Sequence, residues 1–79
     1  MAILPGSTLG LLGGGQLGRM FVTAARTMGY EVIVLDPDPN SPAGSMASEH
    51  LLKAYDDAES LDYMKSHCDV ITTEFENIP

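Results

Sequence analysis

The chain has 79 residues, of which 4 are basic and 11 acidic, and a formal net charge of −7 with histidine neutral. A typical domain has about 100–150 residues, so the chain amounts to one small domain or part of one. It has 44% hydrophobic and 19% charged residues, as a globular chain does, and its scattered cations Arg19, Arg26, Lys53 and Lys65 make no basic patch, which excludes nucleic acid as a partner.

The elements follow in order. Residues 1–7 read as a lead-in with Pro5-Gly6 as a turn. Thr8–Leu12 is a compact apolar run that halts at three glycines, as a buried strand does. Beyond Gly15 the period changes: Leu17, Met20, Phe21, Ala24, Ala25 and Met28 fall at steps of three and four, which predicts a helix with this stripe on one face. Gly29 is its expected left-handed stop. Glu31–Leu35 is β-branched and apolar, and reads as a second strand buried on both faces. Asp36-Pro37-Asp38-Pro39-Asn40-Ser41-Pro42 cannot continue it and is expected to be a rigid polar loop. Leu51–Tyr55 is a candidate third strand, Asp57–Ser66 a helix capped by Asp57, and Asp69–Thr73 a fourth strand.

This alternation predicts an α/β, Rossmann-like domain with a parallel sheet and helices packed on it. Right-handed crossovers give the strand order 3-2-1-4. A further helix should follow the fourth strand to cover the sheet, so the sequence reads as the front piece of a larger protein. An uncovered sheet edge should leave it marginally stable and prone to associate.

Other signals are sparse. The longest apolar run in a predicted strand, Val32–Leu35, falls far short of the ~20 residues a membrane span requires, and no basic residue precedes Arg19 to open a signal peptide. The single cysteine, Cys68, has no partner for an internal disulfide, fits a reducing cytoplasm, and reads as a small buried apolar side chain. His50 and His67 lack metal-ligand spacing and are expected at the surface or at element ends.

Gly13-Gly14-Gly15-Gln16-Leu17-Gly18 fits G-x-G-x-x-G between a strand and a helix. Gly13 permits the tight turn, Gly15 lets a ligand approach the backbone, and Gly18 allows close helix–sheet packing. The amides near Gln16 and Leu17 would leave a helix N-terminus whose dipole favours an anion, with no cationic side chain required. Arg19 either reaches that anion or is a solvated helix residue. Asp36 ends the second strand 18 residues beyond Gly18. It either hydrogen-bonds the ribose of a dinucleotide or starts the Pro-rich turn by accepting backbone hydrogen bonds.

In a 3-2-1-4 sheet the first and fourth strands flank the switch point where ligands bind. Thr72-Thr73-Glu74-Phe75-Glu76-Asn77 leaves the fourth strand there, so Glu74 is expected to share a crevice with the glycine loop. An acidic group suits a ligand offering donors, such as ribose hydroxyls or an amine, and suits a pyrophosphate poorly. Alternate residues point to opposite sides, and Glu74 rather than Glu76 is taken to face the ligand.

The segments GGGQLGRM, VIVLDPDPNSPA and DVITTEFENIP, in that order, resemble the N-terminal domain of the 5-(carboxyamino)imidazole ribonucleotide synthases, ATPase subunits of phosphoribosylaminoimidazole carboxylase in the ATP-grasp superfamily. The resemblance runs from about Ile3 to Pro79. It implies a pre-ATP-grasp domain over 1–79 whose ATP-grasp and C-terminal domains are absent. The implied reaction uses ATP, with magnesium, to activate bicarbonate, and transfers the carboxyl group to the exocyclic amine of aminoimidazole ribonucleotide in de novo purine biosynthesis. ATP and magnesium would be held by the absent domains, and this piece would be inert alone, with no catalytic residue or metal ligand of its own. Its share would be ribonucleotide binding through Gly15, Gln16, Leu17 and Glu74, with Gly14, Arg19, Glu76 and Asn77 in secondary roles. A cytoplasmic homodimer is implied for the full-length enzyme. The residues themselves leave two alternatives: an NAD-binding Rossmann domain of an oxidoreductase or regulatory module, supported by Gly13–Gly18 and Asp36, and a small interaction domain with no ligand, in which the glycine loop serves packing only.

Overall fold

The computed structural model describes residues 6–73. Along the chain run β1 (Thr8–Leu12), α1 (Gln16–Thr27), β2 (Glu31–Leu35), α2 (Pro42–Met46), β3 (Glu49–Leu51), α3 (Ala58–His67) and β4 (Val70–Thr73). The strands form one parallel sheet in the order β3-β2-β1-β4, as the alternation predicts.

Strand β2 shows why the sheet is filled on both faces. Successive side chains point to opposite sides, and both sides of β2 are apolar. Val32 and Val34 pack with Leu11, Val22, Ala25 and Ala43 under α1 and α2. Ile33 and Leu35 pack with Met64 of α3 on the other side. Gly10 of β1 brings α3 close, because a Cβ there would come within 2.8 Å of Met64 Cε and 2.9 Å of Cys68 Sγ.

Helix α1 ends in a Schellman motif: Gly29, at φ 92°, donates its N–H to Arg26 O, and the N–H of Tyr30 reaches back to Ala25 O. Its predicted apolar stripe has the right period but is rotated about the helix axis, so that of its six residues only Ala25 faces the sheet. The residues turned to the sheet are Gly18, Val22 and Ala25. Leu17, Met20 and Met28 are 71%, 69% and 61% exposed, and Phe21 and Ala24 are also exposed. Gly18, Val22 and Ala25 fill the inner face, and the longer Leu17, Met20 and Met28 are left outside. Phe21 borders a shallow cavity of about 250 Å³ with Leu9, Tyr30, Val70 and Thr72 beside β4. Val70 and Ile71 are exposed as well, so the β4 edge is uncovered among the described residues, as expected.

Two elements differ from the sequence reading by more than a residue. The third strand is Glu49–Leu51 rather than Leu51–Tyr55; Leu51 O accepts the N–H of Asp36 and of Lys53, and this turns the chain away from the sheet. The polar segment 36–42 runs directly into the short helix α2, which the loop assignment missed. Ser41 caps it by accepting the Gly44 N–H, with Pro42 in its first turn. Asp57 caps α3 as predicted, accepting from the Ser60 N–H at 3.0 Å. His67 lies in the last turn of α3, while His50 lies within β3, half-buried, with its ring over Gly44. Cys68 is half-buried against the α3 side of the core, and burial pushes its thiol pKa up.

Candidate functional site

The site lies at the carboxyl ends of β1 and β4, where an open α/β sheet offers a crevice. Gly13, at φ 97°, adopts a conformation that side chains avoid, and its N–H donates to Leu35 O at 3.0 Å. The glycine turn is thereby tied to the end of β2. Gly15 then serves as N-cap of α1 in an extended conformation and has no side chain to cap the helix. The first N–H groups of any α-helix have no acceptor within it, and the first turn of α1 holds no acidic residue. Helix dipole and sequence therefore agree on an end suited to an anion. Gln16, Leu17 and Arg19 are all exposed around this end. Gln16 and Arg19 also border an open groove of about 510 Å³ with Met20, Thr23, Ala24 and Met46.

The register pairs Leu12 with Thr73, so the last described residue of β4 sits abreast of the glycine turn. The two segments singled out in the sequence thus approach one crevice, at least as far as Thr73. Glu74, Glu76 and Asn77 lie outside the described residues.

Gly14 differs from its neighbours. Its N–H donates to Asp36 Oδ2 at 2.7 Å, and its carbonyl accepts from Ser41 Oγ at 2.7 Å and from the Ala43 N–H at 3.0 Å. Both of its backbone groups are engaged inside the fold.

The two possibilities for Asp36 are resolved by its partners. Asp36 is buried, 7% exposed. Oδ1 accepts the Asp38 N–H at 2.7 Å, which starts the Pro-rich turn, while Oδ2 accepts from Gly14 N and from Tyr55 Oη at 2.9 Å. The Nε2 of His50 lies 3.0 Å from its main-chain carbonyl oxygen. A carboxylate so buried and so occupied serves the fold, and the dinucleotide alternative loses its second support. Sequence reading missed Ser41 and Tyr55, whose partners lie 27 and 19 residues away; the only local trace was the Ser-Pro pair that opens a helix.

A parallel four-stranded sheet with a glycine-rich turn feeding a helix N-terminus at its switch point defines a Rossmann-like α/β domain as a class. Comparison narrows it. Residues 6–79 match the ribonucleotide synthetase preATP-grasp domain family, and the chain belongs to that family. It is 49% identical over 78 residues to the N5-carboxyaminoimidazole ribonucleotide synthase of Brucella melitensis, covering 99% of this chain and 22% of that protein. With the Staphylococcus haemolyticus synthase it shares 53% over 73 residues, 92% of this chain and 20% of the other. Among solved structures, the ADP complex of an N5-carboxyaminoimidazole ribonucleotide synthetase superposes with a TM-score of 0.91 at 49% identity, covering 98% of this chain and 20% of that one. The Staphylococcus aureus synthetase complexed with ADP does so at 0.91 and 47%, covering 98% of this chain and 21% of that one. The chain spans about a fifth of the length of these relatives.

Proposed function

We propose that this chain is the N-terminal, ribonucleotide-binding part of an ATP-dependent ligase that carboxylates aminoimidazole ribonucleotide with bicarbonate to 5-(carboxyamino)imidazole ribonucleotide in purine biosynthesis. The observation that carries the proposal is the fixed glycine turn delivering a helix N-terminus, whose N-cap residue has no side chain, to the sheet's switch point, in a chain of this family. Such an end suits the ribonucleotide phosphate, with the amides of Gly15, Gln16 and Leu17 as donors and Arg19 close enough in sequence to add its charge. Glu74 supplies the acceptor for ribose hydroxyls or for the exocyclic amine, and Glu76 and Asn77 order the segment around it. Gly14 contributes through its place in the turn.

ATP supplies the energy that activates bicarbonate. In this proposal ATP and magnesium are held by the ATP-grasp part of the enzyme, and a complete cytoplasmic homodimer carries the activity. The described residues gather no group of three His, Cys, Asp or Glu side chains able to hold a metal ion. No helix among them is long and apolar enough to cross a membrane.

The test is a chimaera in which this chain replaces the matching N-terminal segment of the Brucella synthase. Ribonucleotide-dependent ATP turnover should be retained, and Gln16→Ala or Glu74→Gln should raise KM for the ribonucleotide while leaving KM for ATP unchanged. An active chimaera whose ribonucleotide KM ignores both substitutions would contradict the proposed site.

A further inference from the structure

Asp36 and Ser41 hold opposite sides of one glycine. The two peptide groups that flank the Gly14 Cα are each bonded from the 36–43 segment: the first through its N–H to Asp36 Oδ2, the second through its carbonyl to Ser41 Oγ and the Ala43 N–H. We propose that Asp36 and Ser41 are a pair of positioning residues that set the direction of the α1 N-terminal amides toward the ligand, without touching the ligand themselves. This rests on the ribonucleotide-phosphate site proposed above.

Four features support a clamp rather than incidental contacts. Ser41 is 2% exposed and Asp36 7%, so water cannot easily replace either bond. The fit leaves no room at Gly14: a Cβ there would lie 2.0 Å from Ser41 Oγ and 3.1 Å from Asp36 Oδ2. Each clamping group is itself held. Tyr55 Oη and the Asp38 N–H donate to the Asp36 carboxylate, and the Gly44 N–H donates to Ser41 Oγ. Finally, Gly15 has no side chain with which to cap α1, so the turn before it takes a larger part in orienting the first turn. The hydroxyl donates and the carboxylate accepts, so neither residue can take over the role of the other.

The test uses the isotope-labelled chain with ribose 5-phosphate as the probe. Asp36→Ala and Ser41→Ala should each weaken binding about fivefold to tenfold, the loss of roughly one hydrogen bond's net worth. Hydrogen exchange should quicken at Gly14 and at residues 15–17 while the β2 amides keep their protection. The double variant should lose less than the product of the two single losses, because both act on one glycine. Asp57→Ala, which removes the cap of α3, is the control and should leave the affinity unchanged.

Unsubstituted chain that binds the probe while both variants bind equally well would overturn the clamp and leave the site intact. Loss of binding in Asp36→Ala alone, with Ser41→Ala unaffected, would make Asp36 a direct contact and overturn the pairing. No binding by the unsubstituted chain would overturn the phosphate site, and the positioning role with it. If an alanine variant does not fold, Ser41→Thr, which keeps the hydroxyl, and Asp36→Asn, whose amide oxygen can still face the Gly14 N–H, take its place. Near-normal affinity is expected for both, and a loss of affinity as deep as that of the alanine variant that does fold would overturn the chemistry assigned to the pair.

Discussion

Gly10 of β1 lies directly beneath Met64 of α3, with no room for a side chain: a Cβ at position 10 would stand 2.8 Å from Met64 Cε. Met64 is fully buried between Ile33 and Leu35 of the central strand, so it cannot swing aside freely. Gly10→Val should therefore lower unfolding stability by about 1–3 kcal/mol through overpacking. Met64→Ala should lower it by about 2–5 kcal/mol through the cavity it leaves. Denaturant midpoints of the two variants check both, and a neutral Gly10→Val would show that α3 is not held this close.

The rotated face of α1 gives a second prediction. Val22 is fully buried against β1 and β2, while Met20 is mostly exposed. Val22→Ala should cost about 1–3 kcal/mol, and Met20→Gln should change stability by less than about 0.5 kcal/mol. The opposite order would restore the stripe that periodicity suggests. A hydrophobic pattern gives a helix its period, and which arc faces the sheet depends on how closely the backbones approach. Gly18, buried on the inner face, has no side chain to hold the helix off.

The cap of α3 titrates. The Ser60 hydroxyl and N–H both donate to Asp57 Oδ2, and these bonds hold its carboxyl pKa below the ordinary range. A carboxyl whose folded pKa is depressed contributes stability above its unfolded pKa, near ~3.9, and loses it as pH falls through the lower folded value. Thermal midpoints of the unsubstituted chain should thus fall further than those of Asp57→Ala between pH 5 and the acid limit of folding. Parallel pH profiles would contradict the cap.

Cys68 should be a slow thiol. Burial, with Asp69 and Glu49 nearby, raises its pKa, and the thiolate is the reactive form. Alkylation at neutral pH should therefore be slower in the folded chain than in denaturant, where the thiol becomes both exposed and more acidic. Equal rates would place Cys68 outside the core contact it makes with α3.

The strand order and the glycine turn were legible because they rest on local signals: an apolar run stopped by glycines, a change of period, and handed crossovers. The partners of Asp36 were not. Its position at the end of β2 fits a ribose ligand and a turn equally well, and only the long-range bonds to Gly14 and Tyr55 separate the two. Ser41 was invisible for the same reason, since a serine before a proline says nothing of a carbonyl 27 residues earlier. Helix α2 was lost among turn-forming residues that happen to supply its cap and first turn.

The most direct measurement is a titration of the isotope-labelled chain with aminoimidazole ribonucleotide, and in parallel with NAD, following every backbone amide. The ribonucleotide should move the amides of Gly15, Gln16, Leu17 and Glu74 together along one saturable curve, and NAD should move none of them. Saturable shifts with NAD at the glycine turn, or ribonucleotide shifts that avoid residues 15–17, would contradict the assignment of this turn to the ribonucleotide.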